Sequence, residues 1–359
     1  MIQSQSNNFT NSKTSDDNSD IALDPNNPAI NSTKTTLIKE LESEEAIEDI
    51  TKLRPDKLSQ VIGQENVLKQ LTLIIESARI RETLPEHILF YGQPGLGKTT
   101  LSNLIANELG INFKVITAPS LQKIGDLVST LVGLDENTLL FIDEIHRLKA
   151  PLEETLYSAM EDGEVDLVMG KGNAVNSMRM PLNKFVLVGA TTQLGKISKP
   201  LKDRFPTIIQ LESYNNSDMF LIVDRTCRIL GININDDAKT LVASRGRGVP
   251  RIINNILKRL LDYQVVHKIT EIDKEYLMDF LNSMGILDEG LTSSDLKYLN
   301  AIREQPLGIK TIAGVMLEEV ETIEQVIEPF LLHLGYIAKS SEGRSLTIKG
   351  IKKLEGMKS

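Results

Sequence analysis

The sequence predicts an α/β domain built on a parallel sheet, then an all-helical domain, then a third domain of three helices and a hairpin. Three observations carry that prediction. Short apolar runs, HILFY (87–91), TLLFID (138–143) and KFVLVGATT (184–192), alternate with helical stretches such as TTLSNLIANEL (99–109). Strands that are apolar at nearly every position are buried on both sides, which calls for a parallel sheet with helices on both faces. After about Ser213 the strand signals stop. SDMFLIVDRTCRILG, DDAKTLVASRG and PRIINNILKRLLDYQVV read as consecutive amphipathic helices, with Gly231 and Gly246 near their ends. From Thr292, the helical stretches SDLKYLNAIRE, KTIAGVMLEEV and TIEQVIEPFLLHLG lead into YIAKSSEGRSLTI, two apolar runs around a Ser-Ser-Glu-Gly-Arg turn.

These elements divide the 359 residues into a tail over 1–50, an α/β domain over 51–212, a helical domain over 213–290 and a third domain over 291–359, in keeping with two or three domains for this length. The tail holds three lysines (Lys13, Lys34, Lys39) against ten acidic residues, and it is rich in Asn, Ser and Thr. Too little apolar surface is present there to offset the entropy of ordering, so the tail is expected to be disordered. The formal charge of −9 is mostly the tail's, because 51–359 carries 37 basic and 39 acidic residues. The acidic balance therefore excludes no nucleic-acid partner. Basic density rises again over 335–359, with Lys339, Arg344, Lys349, Lys352, Lys353 and Lys358.

No run approaches the ~18–20 apolar residues needed to cross a bilayer. The polar, acidic N-terminus does not have the form of a secretory signal, so a cytoplasmic protein with no membrane association is expected. The single Cys227 excludes an internal disulfide and a multi-cysteine zinc site, and it reads as a small buried hydrophobe. Four dispersed histidines, His87, His146, His267 and His333, suggest no metal site.

The chemistry lies in the first domain. Gly92-Gln-Pro-Gly-Leu-Gly97-Lys98-Thr99 matches G-x-x-x-x-G-K-[ST] between the run HILFY and a helical stretch, the context that motif requires. Its glycines let backbone N–H groups turn inward around phosphates, at the positive end of the following helix. Lys98 is then placed to reach β- and γ-phosphates, and the Thr99 hydroxyl to ligate Mg²⁺. TLLFIDE puts Asp143 at the end of a buried strand, where its carboxylate faces the same ion through water. The adjacent Glu144 is suited to polarise an attacking water. In VGATT, a third buried strand ends at Thr191 and Thr192, either of which can hydrogen-bond the γ-phosphate or the water. Arg204 in Lys202-Asp203-Arg204-Phe205 reads in isolation as a surface salt-bridge residue. Placed beyond these strands, it could instead reach a neighbouring subunit's γ-phosphate. In Gly248-Val-Pro-Arg251, Pro250 suits a first helical turn and would aim Arg251 from a helix N-terminus at phosphate.

The collinear set GQPGLGKTTLSNLIANELG, LLFIDEIHRL, EETLYSAMEDGEVDLVMGKGNA, FVLVGATT, KPLKDRF and GVPRIINNILKR resembles the RuvB family of bacterial Holliday-junction branch-migration motors, within the AAA+ ATPases. The likeness spans about 51–355. It implies an AAA+ P-loop domain, an all-α lid domain and a C-terminal winged-helix domain. It further implies a homohexameric ring around duplex DNA that hydrolyses ATP between subunits and pumps DNA through a junction bound by RuvA, with the RuvC resolvase as a candidate further partner.

By position, the likeness implies that Leu53 and Arg54 contact adenine and ribose. Gly95, Gly97, Lys98, Thr99 and Thr100 would hold ATP or ADP phosphates. Glu161, Asp162, Gly163 and Tyr214 would contact nucleotide, Arg204 would be a finger acting in trans, and Arg251 a lid sensor. Lys339 and Arg344 keep two basic wing positions for DNA. The segment 164–181, which reads on its own as a surface hairpin, would dock RuvA through Val165, Leu167, Val168, Met169, Met178 and Met180.

The chain departs from the family pattern at Gln193, Asn183-Lys184 and Pro206, none of which removes a phosphate contact. Glu342 and Val320 stand where the family is commonly basic, and a like charge near DNA phosphates opposes binding. Two other readings remain at this stage: a clamp-loader-like or protein-remodelling AAA+ ATPase, and a DNA-binding scaffold whose ATP only assists assembly.

Overall fold

The computed structural model describes residues 53–169, 176–269 and 272–357. The expected disorder of the tail and the Gly-Lys-Gly-Asn turn of the hairpin lie outside the described residues. So do the side chains of Leu167, Val168 and Met169.

The first domain opens with α1 (Glu65–Arg81) and continues through β1 (Ile88–Tyr91), α2 (Lys98–Leu109), β2 (Asn112–Thr117), α3 (Ile124–Val132), β3 (Thr138–Asp143) and α4 (Ala150–Glu161). A hairpin, β4 (Glu164–Met169) and β5 (Asn176–Pro181), precedes β6 (Phe185–Thr191), α5 (Lys199–Asp203) and β7 (Thr207–Gln210). Five strands form one sheet in the order β2-β3-β6-β1-β7, every pair parallel. Side chains alternate across each strand, so β3 sends Leu140 and Ile142 to one face and Leu139 and Phe141 to the other. On the first face they meet Leu127, Leu131, Leu156 and Leu201 of α3, α4 and α5. On the second they meet Leu71 and Ile75 of α1 and Leu101 and Leu104 of α2. This double burial is why the three central strands read as unbroken apolar runs.

Edge strands β2 and β7 escape that reading because one side of each is wet. Val115 and Ile208 are about half exposed, so the apolar pattern breaks up. The hairpin pairs Glu164 with Pro181 and Val165 with Met180. Val165 does not offer a docking surface. It is buried in the α4 face of the core, because strand alternation turns it inward, and Met180 packs partly beside it. Met178 is exposed.

The second domain is α6 (Asn216–Leu230), α7 (Asp236–Arg245), α8 (Pro250–His267) and α9 (Lys274–Ser283), packed around Met219, Val223, Val242, Ile253, Leu257 and Phe280. Gly231 and Gly246 cap α6 and α7, and Pro250 opens α8. Cys227 is buried in this core, and burial pushes its thiol up to about 12.

The third domain is α10 (Ser293–Ala301), α11 (Ile309–Met316), α12 (320–333, π-wound over Ile323–Ile327), the hairpin β8 (Ile337–Ser340) and β9 (Gly343–Leu346), and α13 (Ile348–Gly356). Thr292 and Asp295 form a capping box at the start of α10. Its core holds Tyr298, Leu299, Ile312, Ile323, Leu331 and Tyr336. Leu354 of α13 packs there too, so much of the basic C-terminal stretch is a structural helix. Among the described residues no helix is long and apolar enough to cross a membrane.

Candidate nucleotide and nucleic-acid sites

Register brings the C-terminal ends of three adjacent strands together, with Tyr91 of β1 opposite Thr191 of β6 and Ile142 of β3 opposite Gly189. Ligands of open parallel sheets bind at this edge. From β1 the chain turns through Gly92–Gly97 into α2, anchored where the Gly92 N–H donates to the Thr191 carbonyl (3.2 Å). Gly95 has φ +82°, and a Cβ there would lie 2.7 Å from Val249 and 2.9 Å from Arg251. Only glycine lets this loop touch the start of α8, and that contact brings Arg251 onto the phosphate-binding turn.

Lys98 is buried, and its ammonium donates to the Gly92 and Gln93 carbonyls at 2.8 and 2.9 Å. Burial lowers its pKa to about 8; Asp143 opposes that shift and Arg251 adds to it. Thr99 and Thr100 are half-buried in the first turn of α2, where backbone N–H groups lack helical partners and favour an anion.

At the end of β3 the Asp143 carboxylate accepts the Glu144 N–H (2.9 Å). Glu144 sits in the left-handed region at φ +50°, a strain of about 1–3 kcal/mol for a residue with a side chain. Its carboxylate pairs with Arg147 at 2.9 Å. Thr191 is buried; its hydroxyl accepts the Gln193 N–H (2.9 Å) and bonds His146 Nδ1 (3.0 Å). Thr192 is exposed. The structure thus separates the two threonines, one tied internally and one at the surface.

Arg204 caps α5 on the other face of the sheet. It pairs with Glu161 at 2.6 Å and lies 5.9 Å from the Tyr157 ring. Asp162 and Gly163 follow at the end of α4. Lys98 and Arg204 therefore begin and end helices that pack on opposite faces of one sheet.

Tyr214 joins the sheet domain to the helical one. Its hydroxyl donates to the Leu96 carbonyl (3.4 Å) and its N–H to the Gly248 carbonyl (2.9 Å). Burial raises its phenol to about 12. Gly63 lies so close that a Cβ would sit 3.0 Å from the Tyr214 ring. Next to it, an open cleft of about 500 Å³ is lined by Arg54, Ile62, Leu221, Arg225 and Ile229. Leu53 is buried, leaving Arg54 as the member of that pair in the cleft. Sequence reasoning missed Ile62, Leu221 and Arg225, which lie in no phosphate motif; their only signal was apolar or basic character on segments that fold together.

In the wing, Lys339 and Arg344 face each other across β8 and β9. Both reach Glu328, a fully buried carboxylate: Arg344 at 2.8 Å, Lys339 through its ammonium. Tyr298 donates to the same carboxylate (2.7 Å), and Arg344 also pairs with Glu324 at 2.9 Å. Burial alone would raise the Glu328 carboxyl, but the hydrogen bonds from Arg344, Lys339 and Tyr298 outweigh it and hold it below the usual range. Lys349 donates to the Leu334 carbonyl, and Lys353 pairs with Asp288. Four of the basic residues of 335–359 thus have partners inside the fold.

Comparison with known proteins agrees along nearly all of the described chain. Residues 53–211 match the profile described as the Holliday junction DNA helicase RuvB P-loop domain, 214–286 the RuvB AAA lid domain and 288–355 the RuvB C-terminal winged helix domain. The Holliday junction branch migration complex subunit RuvB of Fusobacterium nucleatum is 43% identical over 317 residues, covering 87% of this chain and 96% of that protein. Its counterpart from Staphylococcus haemolyticus is 44% identical over 86% of this chain and 94% of its own length. The solved RuvB Holliday junction branch migration motor of Thermotoga maritima shares 39% identity and a TM-score of 0.77, covering 85% of this chain and 98% of that one. By fold, by order of motifs and by likeness over nearly its whole folded length, the chain belongs to the RuvB family.

Proposed function

We propose that the protein is an ATP-driven motor subunit that migrates Holliday junctions in recombination and repair by moving duplex DNA. The observation that carries this reading is the pairing of a complete phosphate-loop site with a winged helix, in a chain whose relatives are named branch migration subunits. ATP is held with its phosphates on the N–H groups of Gly95–Thr100 and on Lys98, whose ammonium exchanges two neutral carbonyls for phosphate oxygens. The cleft lined by Arg54, Ile62 and Leu221 takes the nucleoside end.

The oxygen donors of Thr99 and Asp143, at adjacent strand and helix ends, fit a Mg²⁺. Held there with ATP, a Mg²⁺ would supply charge neutralisation at the phosphates. Glu144 orients the attacking water once its carboxylate leaves Arg147. Thr192, exposed at the end of β6, is the threonine free of the Thr191–His146 bond and is assigned to the γ-phosphate.

Arg204, on the opposite face from Lys98, serves the site of the next subunit, together with Glu161, Asp162 and Gly163. That division favours a ring, read here as a homohexamer in the cytoplasm. Loss of the γ-phosphate releases Arg251 and lets the helical domain turn, and the winged helix passes DNA along through backbone contacts of Lys339 and Arg344, which carry little sequence information. The working domains are the tail (1–50), ATPase (51–212), lid (213–290) and winged helix (291–359). The hairpin 164–181 is the assigned RuvA contact, with Met178 on its described surface, and RuvC is a further partner.

A synthetic four-way junction tests this. With the RuvA partner, ATP and Mg²⁺, the protein should separate the junction into two duplexes. Intact junctions alongside full ATP hydrolysis would reject the reading.

A further inference from the structure

Between α7 and α8 one loop touches both ends of the proposed machine. On its nucleotide side, the Gly248 carbonyl accepts the Tyr214 N–H, and Arg251 packs over Gly95. On its other side, Arg247 leaves toward the winged-helix domain. Its Nε donates to the Gly290 carbonyl (2.8 Å), its guanidinium pairs with Asp295 of α10, and it stacks 4.3 Å over the Phe330 ring of α12.

Asp295 is 1% exposed and already accepts the Thr292 N–H and hydroxyl at 2.7 Å each. Among the described residues Arg247 is its cationic partner, and with both side chains largely buried the pair is desolvated and directional. A guanidinium that is bonded, paired and stacked at once has little freedom to swivel. Arg247 is moreover held at φ +53°, a conformation that a residue with a side chain keeps only when its surroundings fix it. Two positions earlier, Arg245 is buried and reaches Asp288, which Lys353 of α13 also grips. A loop that only joined two helices would need neither the pair with Asp295 nor the contact with Phe330 in the third domain.

We propose that Arg247 is the positioning residue that fastens the winged-helix domain to the loop leading into Arg251 at the start of α8, so that a change at the γ-phosphate moves lid and wing as one body. The inference rests on the reading of Arg251 as the nucleotide-sensing residue. It adds a transmission element outside the phosphate motifs. Without the fastening, ATP would still bind and hydrolyse, while the wing would no longer follow.

The test uses the full chain in a Cys227→Ser background, with fluorophores on Val266→Cys of α8 and Ser341→Cys of the wing turn, both exposed. With Arg247 present, one narrow energy-transfer distribution is expected in ADP and in a non-hydrolysable ATP analogue. Arg247→Ala should broaden it in both. The same variant should keep basal ATPase and nucleotide affinity within about twofold while losing at least fivefold in stimulation of ATPase by duplex DNA. Arg247→Lys, which retains the charge for Asp295, should recover part of both signals. Should Arg247→Ala fail to fold, Phe330→Leu takes away the stacked ring while keeping an apolar side chain in the core, and should still broaden the distribution. A narrow distribution with full stimulation in a folded variant overturns the proposal, as does a basal rate falling in step with the stimulated one. If DNA stimulates even the unmodified protein not at all, the motor reading fails, while the distance measurement still judges the fastening.

Discussion

Lys98 and the pair Lys339–Arg344 are all assigned to phosphate, yet they rest on opposite kinds of partner. The Lys98 ammonium lies on two neutral carbonyls, in a buried site that already lowers its pKa to about 8. The wing cations lie on Glu328 and Glu324, so two positive charges meet two negative ones. A phosphate arriving at Lys98 relieves a desolvated charge. One arriving at the wing must compete with carboxylates already in place, and part of its Coulomb gain is cancelled. The contrast suits the two tasks: nucleotide must be captured until it is cleaved, whereas a moving duplex must be released at every step.

Predictions that break or sharpen this contrast run from the nucleotide site outward. Nucleotide affinity should show the largest effect. Only protonated Lys98 binds phosphate well, and its pKa in the free protein is about 8. Affinity should therefore be flat below pH 8 and fall about tenfold per unit above it, until the pKa of the nucleotide-bound state is reached. Lys98→Ala should remove that slope along with most of the affinity. Nucleotide titrations followed by calorimetry between pH 6.5 and 9.5 read this directly, and a flat profile would mean that the charge of Lys98 is not what holds phosphate. In the nucleotide-free protein the sign reverses. A lysine pKa lowered by folding costs stability that is fully lost below pH 8 and regained as pH rises through the window up to its unfolded value.

The wing should give a smaller and opposite response. Glu324→Gln frees part of Arg344 at a half-exposed position. Duplex affinity should rise by about three- to tenfold, and the salt dependence should steepen by about one counterion. Unchanged binding would mean that Glu324 does not compete with DNA. Arg344→Ala is a less direct probe, since it leaves the fully buried Glu328 with a single cation. A loss of about 3 kcal/mol in stability should accompany any loss of DNA binding, seen as a lower melting temperature.

How far the sequence reveals these features depends on where a residue's partner lies. The phosphate loop, Asp143, Glu144 and Pro250 sit in local patterns, and the central strands β1, β3 and β6 announce themselves by being apolar on both sides. β2 and β7 do not, because Val115 and Ile208 face outward. α9 and α13 are likewise found only in the structure. The basic run Lys349-Gly-Ile-Lys352-Lys353 reads as a surface, while in the fold Lys353 is taken by Asp288 and Leu354 is buried. Long-range pairs were the least legible. Nothing in the run of residues places Glu328 beneath Lys339 and Arg344, or Asp295 beneath Arg247, since both depend on helices folded back from elsewhere. The docking surface expected on the hairpin loses Val165 for the same reason, since strand alternation turns that side chain into the core.

The central claim is that hydrolysis needs two copies, because Lys98 and Arg204 belong to helices on opposite faces of one sheet. Mixing Lys98→Ala protein with Arg204→Ala protein tests it most directly. Each alone should have lost at least ~10³-fold in turnover. Together they should recover activity that peaks at intermediate ratios, where an intact phosphate loop of one copy meets an intact arginine of the next. No recovery at any ratio, or full-speed hydrolysis by an isolated wild-type monomer, would contradict it.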